Sequence, residues 1–416
     1  MQIMQWPLSK ITPYVRNARK IPPQAIDKVA ASIQEFGWRQ PIVVDAQGVI
    51  ICGHTRLLAA QKLGYEQAPV HVADNLTPGQ VRAYRLLDNR SHEETDWDPE
   101  LLGLELIELH DLNIDLSLTG FDGREIDTLL ARGADLEERA NQVPERPSEA
   151  VTRAGDLWTC GAHRVLCGDA TDRDSVSRLL VTTRPELMVT DPPYGIAYNP
   201  AWREQAGLGR QRQVGLVQND DRADWAAAYA LFPGSVMYVW HAGLHAAEVA
   251  MGIQAAGFEL RAQIIWVKQH FALSRGMYHW QHEPCWLAVR QDARSKWRGD
   301  RTQSTVWQVA NLNPFGGNPE EIATGHGTQK PIELMRRPLL NHTEAGAVVY
   351  DPFLGSGTTL IAAQLTERIC YGLEIDPRYC DVIVRRWQEL TGEQAMLDGA
   401  NKSFDEVAME RAQMVP

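Results

Sequence analysis

No apolar run in this chain approaches the roughly 20 residues that a membrane span requires. The first ten residues, Met1 to Lys10, lack the apolar core of a secretion signal. Six cysteines (Cys52, Cys160, Cys167, Cys285, Cys370 and Cys380) form no C-x-x-C pair and no regular spacing. That argues against a disulfide framework and a thiolate zinc site, so the expectation is a cytoplasmic protein with reduced thiols and no metal. No internal repeat is present. An overall basic excess is also missing, since the net charge is −12. A nucleic-acid partner must therefore be met by local patches. Residues 1–90 carry eleven basic side chains against six acidic, and residues 261–301 carry eight against three. A charge run alone is more often plain solvated surface.

What is present is a soluble globular composition, with 44% apolar and 23% charged residues over 416 positions. That length implies two or three cores. The stretch Ala25 to Phe36 carries Ile26, Val29, Ala30, Ile33 and Phe36 at helical spacing, with Gly37 as a stop. Pro41 to Val44 and Gly48 to Ile51 read as short strands around a turn. Cys52-Gly53-His54-Thr55-Arg56 then feeds the helix from Leu57 to Gly64. Such a glycine turn with an arginine in the first helical turn can hold a phosphate, or can be a plain strand-to-helix connection. Thr77-Pro78 and Asp98-Pro99 each open a helix by a cap followed by proline. The polar residues 141–150, with Pro144 and Pro147, are the best linker. Beyond them, strands and helices alternate, which predicts a mostly parallel sheet.

Two loops carry the chemistry. Leu187 to Thr190 is an apolar strand ending at Asp191-Pro192-Pro193-Tyr194. That loop offers one carboxylate, carbonyls and one aromatic face, which suits a planar base bearing an amine. Ala347 to Tyr350 is a strand ending at Asp351-Pro352-Phe353-Leu354-Gly355-Ser356-Gly357, with a helix from Thr358 and a second strand ending at Glu374. Gly355 and Gly357 let backbone approach a ligand, and an acid at the next strand end bonds ribose hydroxyls in doubly wound sheets. Read singly, Asp191 would serve as a turn cap, Tyr194 as a core residue, Glu374 as a strand-end cap and Lys330 as surface. Their joint order selects the functional reading.

That pair of motifs resembles the signature of DNA amino-methyltransferases, in the order of the β class. Further residues fit the likeness: Asp169 in Gly168-Asp169-Ala170 as the reader of the cofactor's adenine, and Thr328 and Lys330 in His326 to Pro331 as the motif closing over the cofactor. Tyr278, His282 and Glu283 resemble the lining of the target-base pocket. The resemblance implies S-adenosylmethionine as cofactor, held by Asp169, Thr328, Lys330, Asp351, Phe353, Gly355, Gly357 and Glu374. It implies catalysis by Asp191, Pro192, Pro193 and Tyr194. Residues 290–325 become the candidate target-recognition segment, with Arg294 and Arg298 on DNA and Trp307 nearby. Separately, Gly53-His54-Thr55-Arg56 resembles the nucleotide box of ParB/sulfiredoxin-like domains. Gly53 and Arg56 match it, while His54 and Thr55 depart from the charged pair of plasmid-partition proteins.

The implied architecture is α/β: a Rossmann-like methyltransferase domain at 151–392 and a smaller α+β ParB-like domain at 1–75, with a helical extension at 76–140 and a polar tail at 393–416. DNA is the expected partner, with a nucleotide at the N-terminal domain and a homodimer as further candidates, and no membrane. The expected activity is methylation of a flipped adenine at its exocyclic amine. Relatives acting on the 4-amino group of cytosine tend to carry Ser in place of Asp191, and amide-methylating relatives Asn. The remaining alternatives are a cytosine enzyme, a methyltransferase of protein or RNA, and a ParB-like binding module with an inactive second half.

Overall fold

The computed structural model describes residues 2–91, 94–195, 221–272, 277–299, 301–309 and 329–413. Two compact units divide the chain, Met1–Glu137 and Glu138–Pro416. The division falls inside a helix, a few residues before the expected linker at 141–150. Ala140 explains why: it is buried in the core of the second unit, and its carbonyl accepts hydrogen bonds from the Arg386 guanidinium.

The first unit runs β1 (Met4–Pro7), α1 (Pro23–Phe36), β2 (Ile42–Val44), β3 (Ile50–Cys52), α2 (His54–Lys62) and β4 (Gln67–Val72). Its sheet has the order β1-β4-β2-β3, with β2 and β4 parallel and the outer pairs antiparallel. Ile42, Val44, Ile50, Leu57 and Val70 form its core. Helices α3 (Pro78–Ser91), α4 (Pro99–Asp111) and α5 (Gly123–Asn141) follow. Thr77 and Gln80 exchange backbone N–H bonds with each other's side chains at the start of α3, and Asp98 accepts from Glu100 and Leu101 at the start of α4. Both are reciprocal or single caps of helix-start donors. Helices α4 and α5 meet glycine to glycine. A Cβ on Gly103 would lie 2.2 Å from the Leu129 carbonyl oxygen, and one on Gly133 would lie 2.4 Å from the Gly103 carbonyl carbon.

The second unit comprises β5 (Leu157–Cys160), β6 (His163–Cys167), α6 (Arg173–Leu180), β7 (Leu187–Thr190), α7 (Ala226–Leu231), β8 (Val236–Trp240), α8 (Ala246–Ala255), β9 (Phe258–Ala272), β10 (Trp280–Arg290) and β11 (Val306–Gln308). It continues with α9 (Ile332–His342), β12 (Val348–Asp351), α10 (Thr358–Leu365), β13 (Ile369–Glu374), α11 (Pro377–Thr391), β14 (Met396–Leu397), β15 (Lys402–Ser403) and α12 (Phe404–Gln413). Among the described residues these strands form one sheet of order β11-β9-β10-β8-β7-β12-β13-β6-β5-β14-β15. Strands β8, β7, β12, β13 and β6 are parallel. Strand β10 runs against β8, and β9 against β10. Apolar clusters cover both faces, one with Trp158, Trp240, Leu360 and Trp387, the other with Trp225, Tyr229, Phe232 and Tyr350.

The expected polar tail at 393–416 is largely structured. Its β14–β15 hairpin extends the sheet beyond β5, and Phe404 is buried edge-on against Trp158 at 5.1 Å between ring centroids. Ala395, Phe404 and Val407 of that segment are buried, and Leu397 packs against the same core. Strands β9 and β10 also outrun the expected spans of 263–267 and 285–289. They pair with each other from Phe258 and Arg290 to Ala272 and Trp280, well beyond the shorter stretches over which β11 and β8 flank them.

Candidate active site

Strands β7 and β12 are parallel neighbours, so their carboxyl ends lie side by side. From β12 the chain passes through α10 to β13 on one side, while β7 stands on the other. This reversal of direction opens a crevice at the strand ends, the usual ligand position in such sheets. The two loops named by the sequence both start there. They are joined by Asp351, whose carboxylate accepts from Thr190 Oγ1 at 2.7 Å, Thr359 Oγ1 at 2.6 Å and the Phe353 N–H at 3.0 Å. Burial pushes this carboxyl up to about 6, against the pull of its donors. An aromatic bracket adds a second link. Trp225 packs on Phe353 with centroids 4.7 Å apart, and its Nε1 donates to the Pro193 carbonyl at 3.0 Å. Among the described residues no backbone donor reaches the Pro192 carbonyl.

The glycine loop has the form of a cradle. Gly357 has φ 83° and starts α10, and a Cβ there would meet Ile383 at 3.1 Å. At Gly355 a Cβ would meet nothing within 4 Å, so the loop faces open space at that point. Glu374 is buried beside it and accepts the Gly355 N–H at 2.8 Å and the Asp376 N–H at 2.8 Å. Burial pushes its carboxyl up to about 7 despite those two donors. Asp169 follows the neighbouring strand β6, where the Gly168 N–H bonds the Glu374 carbonyl. One Asp169 oxygen is taken by the N–H and hydroxyl of Thr171. Two acids at adjacent strand ends and a glycine turn opening a helix are a donor and acceptor set that fits an adenosine-bearing cofactor.

On the other side of the crevice is a charged cluster. Lys330 Nζ lies 2.8 Å from Asp191 Oδ2, 2.8 Å from Glu283 Oε2 and 2.9 Å from Tyr194 Oη. Tyr194 donates to Asp191 Oδ1 at 2.8 Å, and Lys268 pairs with the other Glu283 oxygen. The Lys330 side chain keeps 4% of its surface exposed and that of Asp191 keeps 24%, so the acid is reachable and the amine is not. Burial raises the Asp191 carboxyl, Lys330 draws it down and Glu283 pushes it up. Glu283 would likewise be raised by burial, but Lys330 and Lys268 hold it at about 2.

Three family models match the chain. Residues 186–385 match the DNA methylase family N6_N4_Mtase. Residues 1–89 match the ParB N-terminal domain, and residues 100–154 the ParB-methyltransferase HTH domain. The chain carries an N6/N4 DNA methylase domain and a ParB N-terminal domain. Its methylase half is similar to the type II methyltransferase M2.MboI of Moraxella bovis, 25% identical over 226 residues, or 50% of this chain and 81% of that protein. The ParB domain is similar to the ParB-like nuclease domain-containing protein YnaK of Escherichia coli, 38% identical over 80 residues, 19% of this chain and 92% of that protein. A solved likeness is the M1.HpyAVI–SAM complex, at 23% identity and TM-score 0.39, covering 53% of this chain and 98% of that one.

Not every expected residue of the methylase domain lies at the crevice. Thr328 lies outside the described residues. Lys330, expected on the cofactor, has its amine on Asp191, Glu283 and Tyr194 ahead of α9. Tyr278 is 88% exposed, and His282 is turned away from Glu283 by strand alternation and stacks edge-on with Trp280. Arg294 and Arg298 follow the far end of β10. That strand runs antiparallel to β8, so they emerge at the sheet edge opposite the catalytic loops. Arg294 is exposed there, and Arg298 pairs with Glu344. Trp307 is buried in the core, not free to read bases. In the ParB domain, Gly53 starts α2 at φ 103° and Arg56 reaches back to the Pro41 carbonyl at 3.2 Å and to Gln40.

Several participants escaped the sequence reading. Arg386 is buried and donates to the Ser356 carbonyl at 2.9 Å while holding Ala140, so it braces the glycine loop from below. Burial lowers its guanidinium to about 9. Thr190, Thr359, Trp225 and Lys268 are the others. Thr190 had a faint signal, as a polar residue closing an apolar strand. The rest have none that is local.

Proposed function

We propose that this chain methylates the 6-amino group of an adenine rotated out of duplex DNA, using S-adenosylmethionine. When bound, that cofactor supplies a methyl group already activated on a sulfonium. Glu374 would accept its ribose hydroxyls, Asp169 would meet its adenine, and the turn from Phe353 to Gly357 would carry its remaining polar groups. Adenine's amine is a weak nucleophile because its lone pair is shared with the ring. Asp191 and the Pro192 carbonyl would accept the two amine hydrogens, localise that pair and point the nitrogen across the crevice. Such orientation contributes about 7–11 kcal/mol when near-attack geometry is met. The nitrogen gains a methyl and loses a proton, and Asp191 is the adjacent acceptor. Extrusion of the base is needed because its amine is inside the duplex stack. The Tyr194 ring would stack on it, a contact worth roughly 1–3 kcal/mol.

The observation that carries this reading is the Asp351 bridge. It holds the end of β7 and the start of the glycine loop together through hydrogen bonds of 2.6 to 3.0 Å, so the acid and the cradle share one crevice. Asp191 favours adenine over cytosine, because relatives acting on cytosine tend to carry Ser there. The N-terminal unit would add DNA contacts and a nucleotide site around Gly53 and Arg56, and a homodimer is compatible with this division of labour. The test is mass spectrometry of nucleosides from duplex DNA incubated with the protein and labelled cofactor. N6-methyladenine is expected, and N4-methylcytosine alone would mean the other base. Label on protein or RNA, with none on DNA, would remove the reading altogether.

A further inference from the structure

Lys330 has three ammonium donors, and three acceptors surround it: Asp191 Oδ2 at 2.8 Å, Glu283 Oε2 at 2.8 Å and Tyr194 Oη at 2.9 Å. None of these partners belongs to the glycine loop, so a cofactor role has no free donor to act through. Each Asp191 oxygen already holds one donor, Tyr194 on one and Lys330 on the other. An amine hydrogen can reach the carboxylate only beside or in place of one of these donors. The Tyr194 ring is packed against the core, whereas the lysine ends a flexible four-carbon stem. Glu283 is a second anion at the same 2.8 Å, and it is anchored from behind by Lys268. A lysine that left Asp191 would keep one carboxylate partner and remain charged.

We propose that Lys330 is a positioning residue for Asp191, standing in the place of the target amine before the base arrives and passing to Glu283 as the base enters. This rests on the reading of Asp191 as the group that grips the amine. The two ammoniums and two carboxylates of the cluster sum to zero charge. Without Lys330, Asp191 would face Glu283 with only Lys268 to offset both, and the Asp191 carboxyl would be raised further. The groups around Asp191 are Lys330 ahead of α9, Glu283 and Cys285 on β10, Lys268 on β9 acting through Glu283, Tyr194 on its own loop and Asp351 at the end of β12. Among them Lys330 and Glu283 act on Asp191 with opposite sign.

Opposite signs give the test. The full-length protein is assayed for methyl transfer to duplex DNA across about pH 5.5 to 9.5, with cofactor affinity measured by calorimetry on the same samples. Lys330→Met should lower kcat/KM about tenfold or more at neutral pH and move the acid limb up by about one pH unit or more, with partial recovery in alkali. Its affinity for S-adenosylmethionine should stay within about twofold of the wild type. Glu283→Gln should move the acid limb down, and Lys330→Arg should leave it in place. Losses that are the same at every pH, limbs that move together, or a matching loss of cofactor affinity would overturn the proposal. If Lys330→Met does not fold, the direction of the Glu283→Gln shift decides alone. An active wild type whose variants keep its pH profile sinks this proposal only. An inert wild type sinks the reading of the site and this proposal with it.

Discussion

Replacing Glu374 with glutamine should separate the cofactor cradle from the rest of the site. The carboxylate accepts two backbone N–H groups, from Gly355 and Asp376, each at 2.8 Å. Glutamine has the same size but one acceptor oxygen, so its amide NH2 must confront one of those donors. Either the glycine loop or the start of α11 is then released, and the charge facing the ribose is lost. Hydrogen bonds to a charged group contribute roughly 1.5–3 kcal/mol each. Losing one of them is worth about 1.5–3 kcal/mol, a rise of about 10- to 150-fold in the Kd for S-adenosylmethionine. The pH dependence gives a second reading of the same group. Its carboxyl stands at about 7, so near neutrality part of the protein carries it protonated. Hydroxyl donors favour the ionised form, so binding expels a proton, and affinity rises with pH until about 7 and is flat above it. For the ligand-free fold the sign is reversed. The raised value contributes stability fully below the ordinary carboxyl value of 4.5, and that contribution is lost as pH rises through about 7. Calorimetry in buffers of different ionisation enthalpy measures both affinity and proton release. A Glu374→Gln protein that binds within about threefold of the wild type, or a wild type whose affinity is level from about pH 6 to 8, would refute this account of the cradle.

Other substitutions probe the remaining elements. Asp191→Ala should cut methyl transfer by at least about 100-fold while leaving cofactor affinity nearly unchanged, as read by rapid-quench kinetics and calorimetry; equal losses in both would mean that the crevice itself had collapsed. Phe404→Ala should cost about 3 kcal/mol in the second unit through the cavity left beside Trp158, seen in urea unfolding followed by tryptophan fluorescence. A cost near zero would mean that the terminal hairpin and helix do not dock. Gly133→Ala should destabilise the first unit by about 1–3 kcal/mol, because its Cβ would sit 2.4 Å from Gly103 of the facing helix and the pair must separate. Hydrogen exchange on α4 and α5 reports it, and unchanged protection would contradict the close crossing.

Much of the site was legible because its signals are local. Caps such as Thr77 with Gln80 act across one helical turn, and the strand-loop-helix order of 347–365 needs only an apolar run, a glycine turn and a helix former. The order of Asp191, then Gly355 and Gly357, then Glu374 is likewise a property of the chain alone, and with it came the family. What the chain could not reveal depends on which strands become neighbours. Lys330 and Asp191 are 139 residues apart, and only the sheet order, with β7 between β12 and β8 and with β10 beyond β8, brings an ammonium, two carboxylates and a tyrosine together. The same topology sends Arg294 and Arg298 to the opposite edge, since an antiparallel strand reverses the end at which its successor emerges. It also turns Asp351 from a presumed cofactor ligand into a tie between loops, because a carboxylate at a buried strand end bonds to whichever hydroxyls the neighbouring strand and helix bring to it.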